Sequence, residues 1–210
     1  MNIQIYKPNK SNAGFGFSFS AGDDKKSGEP VLFVNGIAQY SWNNGSGTFQ
    51  GNSNNPEKTI TVKFNEFECG SIINCLEKRY EWSTYHKSGE NNTSIKFTPW
   101  DKVATIKSYN SQKKEYEESK QTIPAFGMTI SKSGGNTFKL SLEPGECECL
   151  ISFLRYLIQK IYEHRYNKSN KTKAKGLVKK DKPDDAFQLL INEQFTPEQP
   201  VRKRYIVNDS

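Results

Sequence analysis

Several features that mark common protein classes are missing from this chain of 210 residues. No apolar run approaches the length of a membrane span, and no apolar leader follows Met1. From these absences we expect a soluble cytoplasmic protein that has no membrane partner.

Catalytic signatures are absent as well. The sequence has no phosphate-binding glycine loop with its lysine, no nucleophile elbow and no paired histidine motif. Its two histidines, His86 and His164, lie in polar surroundings that are typical of surface positions. The sequence therefore predicts a protein that is not an enzyme and needs no cofactor.

Cysteine is scarce, and its four copies all fall in two segments with helical spacing, at positions 69, 75, 147 and 149. Cys69 and Cys147 occupy equivalent places in the two segments, which predicts a small buried residue there. Cys147 and Cys149 would point to different faces of a helix, so they do not form a metal site together. A disulfide is disfavoured in a reducing compartment. We predict no metal.

The excess of basic residues is modest and uneven. Lys+Arg 30 exceed Asp+Glu 23, for a formal net charge of +7, and residues 164–210 hold 11 basic and 6 acidic side chains. A solvated basic tail accounts for most of this charge. Net charge alone is therefore a weak argument for a polyanionic partner.

What the sequence does contain is an internal repeat. Residues 59–76 match residues 137–154 at an offset of 78 positions, with five identical pairs and five exchanges between apolar residues. In the first copy Ile60, Val62 and Phe64 alternate with polar residues, which predicts a half-buried strand, and helical spacing follows at once. Each copy therefore predicts a strand followed directly by a helix.

The start of each predicted helix has recognisable capping residues. Asn65, followed three residues later by Glu68, forms a capping-box pattern. In the second copy Pro144 suits the first turn, where its missing N–H has no helical partner, and Glu146 follows in that turn. An apolar stripe from about 146 to 162 predicts that the second helix buries the larger surface.

Further strands are predicted before each copy of the repeat. They lie at 2–7, 14–20 and 30–42 in the first half, and at 94–100, 102–109 and 126–131 in the second, ahead of 136–142. The charged segment 110–121 lacks apolar periodicity and predicts a long hairpin tip or a flexible loop. The predicted fold class is α+β, with a duplicated unit of four antiparallel strands plus one helix and two sheets packed around the helices.

This organisation predicts one duplicated domain over residues 1–163, with the first repeat at about 1–85 and the second at about 86–163. Residues 164–210 form a basic C-terminal extension. Its segment 167–182 has seven lysines, one aspartate and almost nothing to bury, so we expect it to be mobile. A short helix is predicted near 184–194.

Basic and aromatic side chains share several predicted strands. Proteins that bind single-stranded nucleic acid combine a positive groove with rings on which unpaired bases stack. The candidate contacts are lysines opposite apolar rows and rings near strand ends: Lys7, Tyr40, Trp42, Lys63, Lys96, Trp100, Lys107 and Lys139. An ordinary interpretation stands beside this one, because lysine on the solvent face of a strand also discourages aggregation.

One series of segments runs through a strand, a glycine-flanked aromatic turn, a second strand and an acidic helix start. It comprises Leu32-Phe-Val34, Gly47-Thr-Phe-Gln-Gly51 and Ile60-Thr-Val-Lys-Phe64, with Glu68, Gly70, Ile72 and Leu76. This order resembles the Whirly class of single-stranded DNA-binding proteins, and each half is similar to the core of the transcriptional coactivator positive cofactor four. The resemblance covers about residues 1–163. It implies single strands laid across the sheets with little sequence preference.

The resemblance leaves some properties open. The lysine-glycine motif of plant Whirly proteins is missing, so the mode of assembly is undecided, and both a monomer and an oligomer fit the pattern. The composition, rich in asparagine and lysine, suits an AT-rich phage or bacterial genome, which would place the protein in the cytoplasm of a bacterial or phage-infected cell.

The predicted function is single-stranded DNA binding with little sequence specificity, in replication, recombination or transcription. Two alternatives stay open: an RNA-binding protein of the same fold, and a structural or assembly protein with no nucleic-acid role. The expected partner is single-stranded DNA or else RNA. The C-terminal tail is a further candidate contact for a replication or transcription protein.

Overall fold

The structure of the protein, a computed structural model, describes residues 1–88 and 91–180, without the side chains of 88, 91 and 173–180. The elements in chain order are β1 (Asn2–Lys7), β2 (Phe15–Asp23), β3 (Pro30–Ala38), β4 (Ser41–Asn43), β5 (Ser46–Thr48), a 3-10 turn (Gln50–Asn52), β6 (Thr59–Phe64), α1 (Glu66–Lys78), β7 (Trp82–Ser88), β8 (Asn91–Asn110), β9 (Glu115–Lys132), β10 (Thr137–Leu142) and α2 (Pro144–Lys180). The helix predicted near 184–194 lies outside the described residues.

The strands form two antiparallel sheets of four strands each and one small ribbon. The first sheet has the order β1-β2-β3-β6, the second has the order β10-β9-β8-β7, and β4 pairs with β5. Helix α1 follows the last strand of the first sheet, and α2 follows the last strand of the second. Ile60 and Phe138, which are equivalent in the sequence repeat, lie on β6 and β10, the strands that directly precede the two helices. The predicted α+β class is confirmed.

Alternation of buried and exposed residues gives each sheet an inner and an outer face. The inner faces and both helices contribute to one apolar core, in which Phe64, Phe97 and Leu154 are fully buried. Phe15 of the first sheet meets Phe138 of the second, with ring centroids 5.7 Å apart. The two sheets therefore share a core and leave their outer faces pointing away from it.

Both predicted helix starts are confirmed. The Oδ1 of Asn65 accepts from the backbone N–H of Glu68 at 2.9 Å, and Glu68 Oε2 accepts from the backbone N–H of Asn65 at 3.0 Å. Pro144 is the first residue of α2, and the backbone N–H of Glu143 donates to Glu146 Oε2 at 2.8 Å. These bonds pair groups at the helix start that the helix itself leaves unsatisfied.

We expect Asn65→Ala to lower the free energy of unfolding by about 1 kcal/mol, because the Glu68 N–H loses its acceptor. Chemical denaturation followed by circular dichroism measures the change. Asn65→Ser keeps an acceptor at the cap and should restore most of the stability. Equal stability of the alanine and serine variants would contradict the capping role.

One strand prediction in the second half is wrong, because strand β8 runs unbroken through positions 94–109, where the sequence suggested two strands. The segment 110–121 forms the tip of the β8–β9 hairpin, which is the first of its two predicted forms, and most of it is strand because β9 begins at Glu115. Pro99 and Pro124 lie inside these strands. Each is placed just beyond the point where the neighbouring strand stops pairing, at Phe97 for β7 and at Phe126 for β10. A free edge tolerates proline because no ladder partner needs its missing N–H.

Two further elements differ from the sequence prediction. The run 30–42 divides into β3 and the separate ribbon strand β4. Strand β7 (Trp82–Ser88) was not predicted, although its inward residues Trp82, Thr84 and His86 alternate with polar outward residues. His86 is half-buried, with Nε2 2.6 Å from Glu68 Oε1, so its predicted surface position is wrong. Two of these three inward residues are polar, so the sequence of β7 lacks the apolar alternation from which the other strands were predicted.

The four cysteines carry free thiols, and three of them are buried. Burial raises the pKa of Cys69 to about 12 and the pKa of Cys75 and Cys147 to about 11. The buried equivalent pair predicted at Cys69 and Cys147 is confirmed, whereas Cys149 is exposed. Among the described residues, no cluster of histidine, cysteine or carboxylate side chains could hold a metal ion.

The chain divides into two units, residues 1–165 and residues 166–210. In the second unit residues 166–180 continue as helix, beyond the end of the stripe predicted at about 162. Lysine and alanine are favourable helix residues, so a charged segment with little to bury still adopts this structure. The mobility of 167–182 stays a prediction.

Within the described part of the chain, neither helix has a stretch long and apolar enough to cross a membrane.

Candidate nucleic-acid interface

One row of side chains crosses the outer face of the second sheet from edge to edge. The register places Lys139 of β10 beside Thr129 of β9, Thr129 beside Lys96 of β8, and Lys96 beside Ser83 of β7. Lys96 and Lys139 are exposed. Because neighbouring strands are about 4.8 Å apart, the two lysine backbones are separated by about 10 Å. The row therefore carries two cations along one path across the sheet.

Serine or threonine occupies seven of the fifteen outward positions on the four strands. These positions hold Ser83, Tyr85, Lys87, Asn92, Ser94, Lys96, Thr98, Trp100, Ala125, Gly127, Thr129, Ser131, Thr137, Lys139 and Ser141. None of these described positions carries a carboxylate. Glu81, just before β7, approaches the face and pairs with Lys96 at 2.8 Å. A face of this kind has little bulk above the backbone and many hydrogen-bonding groups.

A cleft of about 500 Å³ lies at the β10 edge of this face. It brings together three residues predicted as nucleic-acid contacts, namely Lys7, Trp100 and Lys139. Trp100 is 42% exposed, so part of its ring is open to a ligand. The connection between β1 and β2 forms one wall, and Gly14 is required there because an added Cβ would meet Gln39 Oε1 at 2.4 Å.

The charge of Lys7 is compensated by carboxylates at the start of α2. Its Nζ donates to Glu146 Oε1 at 2.6 Å and lies 4.0 Å from Glu143 Oε1. The hydrogen bond from Lys102 and the charges of Lys102 and Lys7 lower the pKa of the Glu143 carboxyl. Lys139, by contrast, has no ion-pair partner among the described residues. Lys139 is therefore the uncompensated cation of the cleft.

The other predicted lysines also have carboxylate partners. Lys63 pairs with Asp24 at 2.7 Å on the outer face of the first sheet, and Lys107 pairs with Glu118 at 2.8 Å on an extension of β8 and β9. The hydrogen bond from Lys63 holds the pKa of Asp24 well below its usual range. Exposed ion pairs contribute only about 0–1 kcal/mol, so a phosphate can replace the carboxylate at little cost. The structure does not bring Lys63 or Lys107 to the cleft.

Tyr40 precedes the small ribbon and Trp42 lies in its strand β4, and neither residue lines the cleft. Tyr40 is 59% exposed and its ring covers Gly51, while Trp42 on β4 is half-buried. The buried side chain of Gln39 joins this region to the β1–β2 connection, because its Oε1 accepts from the backbone N–H of Asn9 at 2.9 Å. These two rings therefore offer a second aromatic area beside the wall of the cleft.

Two exposed tyrosines lie on the outer faces, and one of them, Tyr85, was not predicted as a contact. Tyr85 of β7 is 57% exposed and lies beside Ser94 in the second sheet. Tyr6 of β1 is 47% exposed and covers Gly16 on the first sheet, where it borders a cavity of about 300 Å³. Alternation along β7 was the available signal for Tyr85. The outer face of the first sheet is less basic, since Lys63 is its single lysine among the described strand positions.

No family model and no curated protein matches the sequence of this chain. Its fold is similar to that of two Whirly proteins from Arabidopsis thaliana, each with a TM-score of 0.50. WHY3 is 11% identical, over 84% of this chain and 96% of the WHY3 chain, and WHY1 is 14% identical, over 83% and 92%. The plant transcriptional regulator PBF-2 is 11% identical, over 81% and 86%, with a TM-score of 0.47. The chain therefore has a Whirly-like fold, as the resemblance in the sequence implied.

Proposed function

We propose that this protein binds single-stranded DNA, with little sequence preference, across the outer face of its second sheet. One observation carries the proposal: Lys96 and Lys139 form a row beside the exposed ring of Trp100, on a face whose described strand positions bear no carboxylate. The Whirly-like fold supports it, because the resemblance to that class implies single strands laid across the sheets. Roles in replication, recombination or transcription are part of the proposal.

Phosphate contacts are assigned first to the row. A polynucleotide that crosses the strands at right angles meets Lys139, Thr129 and Lys96 in turn. Lysines neutralise phosphates and release counterions, which makes the affinity depend on salt. Lys7, Lys63 and Lys107 are secondary contacts, because they lie off the row, and these three lysines and Lys96 must each exchange a carboxylate partner.

Base contacts are assigned to the exposed rings. Trp100 at the cleft and Tyr85 on β7 lie on the same face as the lysine row, and Tyr40 and Trp42 extend the aromatic surface at the ribbon. Stacking on these rings requires unpaired bases, because the rings cannot reach the base faces inside a duplex. The arrangement therefore favours single strands over duplex.

We expect Trp100→Ala to weaken binding of a single-stranded oligonucleotide roughly 5- to 150-fold, since stacking contributes about 1–3 kcal/mol per base. The slope of affinity against salt should stay unchanged, because no phosphate contact is lost. Fluorescence anisotropy over a salt series measures both, with a duplex of the same sequence beside the single strand.

Two variants control the Trp100 experiment. Trp100→Phe keeps a ring and should retain most of the affinity, and Phe67→Ala removes an exposed ring from α1 and should have no effect. Equal affinity for single strand and duplex would contradict the stacking part of the proposal. So would a Trp100→Ala variant that binds as tightly as the unchanged protein.

RNA is the second candidate ligand, and the hydroxyl side chains favour it. Ser83, Ser94, Thr129 and Ser131 lie on the binding face, where they can bond a ribose 2′-hydroxyl. Competition between DNA and RNA oligonucleotides of matched sequence distinguishes the two. Tighter binding of RNA would assign the face to RNA.

We also propose that the two halves arose by duplication of one unit. The repeated residues 59–76 and 137–154 supply the last strand and the start of the helix in both halves, which supports this origin. On this view residues 1–163 form the binding domain, and residues 164–210 are an extension that can contact a replication or transcription protein.

A further inference from the structure

Strands β8 and β9 continue beyond the second sheet as a two-stranded arm, residues 100–125. Strand β7 pairs with β8 only as far as Phe97, and β10 pairs with β9 only as far as Phe126. From Trp100 to Asn110, β8 pairs with β9 alone. Both edges of the arm therefore lack a partner strand within the described residues. An isolated two-stranded ribbon is marginally stable, and open edges are templates for a further strand.

The arm also exposes large apolar side chains. Val103 is 63% exposed, Ile106 41%, Tyr109 56% and Tyr116 71%. Tyr109 and Tyr116 contact each other across the hairpin, with ring centroids 5.3 Å apart. These side chains lie on both faces of the ribbon, because residues 103 and 106 differ by an odd number of positions. The arm cannot cover both faces by itself, so its surface is suited to a partner.

The charges of the arm favour a protein partner over a nucleic acid. Residues 100–125 contain five lysines and four carboxylates. Lys107 pairs with Glu118 and Lys113 pairs with Glu117, both at 2.8 Å. The arm is therefore close to neutral and offers little attraction to a polyanion.

The β8 edge and the β9 edge of the arm carry different charged residues. The β9 edge carries Glu115, Glu117 and Glu118 with Lys120, so two copies of this edge would repel each other. The β8 edge carries Asp101 with Lys102 and Lys107, which can be complementary to a second copy of itself. A pair of identical edges related by a two-fold axis closes on itself, as most protein dimers do.

One register satisfies this complementarity. Residues that face each other across an antiparallel pair share a face, and Asp101 and Lys107 lie on the same face because they are six positions apart. With the two-fold axis at Ala104, Asp101 of each copy opposes Lys107 of the other. Val103 then opposes Thr105, and the small Ala104 side chain meets its own counterpart at the axis. Asp101 and Lys107 are 63% and 67% exposed, so both are accessible.

We propose that the arm is a docking surface for a second copy of this chain, joined by antiparallel pairing of the two β8 edges about Ala104. The pairing would produce a four-stranded sheet with the β9 strands outside. It satisfies the open N–H and C=O groups of the β8 edge and covers part of Val103. The dimer contact does not use the lysine row on the outer face of the second sheet. It shares only Lys107 with the proposed nucleic-acid contacts, and it is measured without an oligonucleotide.

Charge reversal and mixing test the proposal. Analytical ultracentrifugation over a concentration series should give about twice the chain mass of 24.0 kDa for the unchanged protein. Lys107→Glu and Asp101→Lys should each halve the mass, because like charges then face each other at both ends of the pair. An equimolar mixture of the two variants should return to the dimer mass, since one end of the mixed pair keeps the unchanged Asp101 against Lys107 and the other end brings together the two introduced charges, which are opposite.

Lys120→Glu is the matched control, because it makes the same charge change on the β9 edge of the same arm and should leave the dimer intact. Circular dichroism verifies that each variant is folded. The mixing step separates the proposed contact from the pairs within one chain, Asp101 with Arg79 and Lys107 with Glu118, which mixing cannot restore.

Three results would overturn the proposal. They are a monomeric unchanged protein at all concentrations, a mixture that stays monomeric, and a Lys120→Glu variant that dissociates as readily as Lys107→Glu. If the unchanged protein is a monomer and the Lys107→Glu variant loses affinity for an oligonucleotide, the arm would be assigned to nucleic-acid binding.

Discussion

Replacing Lys96 and Lys139 together with alanine is expected to reduce affinity for a single-stranded oligonucleotide roughly a hundredfold. Each lysine lies on the row that crosses the outer face of the second sheet. A hydrogen bond to a charged group contributes about 1.5–3 kcal/mol, so each loss should cost about tenfold or more. The slope of log affinity against log salt should fall by about 1.4, since each neutralised phosphate contributes about 0.7 on a single strand. Anisotropy titrations over a salt series measure both quantities.

The matched control replaces Lys58 and Lys78 with alanine. Both are exposed, and they lie before β6 and at the end of α1, outside the proposed face. This variant has the same net charge as the test variant and should keep most of its affinity. An equal loss in both variants would mean that binding follows overall charge and not the row. An unchanged test variant would remove the second sheet as the binding face.

Phe138→Ala is expected to lower the free energy of unfolding by about 3–5 kcal/mol, the cost of deleting a buried phenylalanine side chain. Phe138 is 2% exposed and contacts Phe15 of the other sheet. Because the two sheets share one core, the variant should still unfold in a single transition at lower denaturant. Circular dichroism and tryptophan fluorescence should report the same midpoint.

Phe67→Ala makes the same chemical change at an exposed site on α1. Phe67 is 75% exposed, so its loss should change the free energy of unfolding by about 0.5 kcal/mol or less. A similar loss in the two variants would refute the placement of Phe138 in the core. Separate transitions for the two halves would refute the shared core.

Helix caps and strands were predictable from the sequence where they depend only on residues a few positions apart. The capping pair Asn65 and Glu68 and the proline at the start of α2 depend on residues three positions apart, and the structure contains both as predicted. The strand before each helix followed from alternation over six residues. These elements need no distant partner to be recognised.

The candidate site was predictable in residue type but not in grouping. Lys96 and Lys139 lie 43 positions apart and become neighbours only because β9 lies between their strands. The sequence could not reveal that four of the five predicted lysines have carboxylate partners, because Glu146, Asp24, Glu81 and Glu118 meet them through tertiary structure or strand pairing. Tyr85 was missed because β7 was not predicted.

By itself, the sequence determined the α+β class, the repeated strand and helix, and the helix caps, because periodicity and capping act over a few residues. Tertiary structure decided which strands became neighbours, where Pro99 and Pro124 met a free edge, and which lysines kept an unpaired charge. These outcomes depend on contacts between residues far apart in the chain. No local pattern specifies which strands pair, because the backbone hydrogen bonds between strands are the same for every pairing. Only the packing of the shared core selects one strand order.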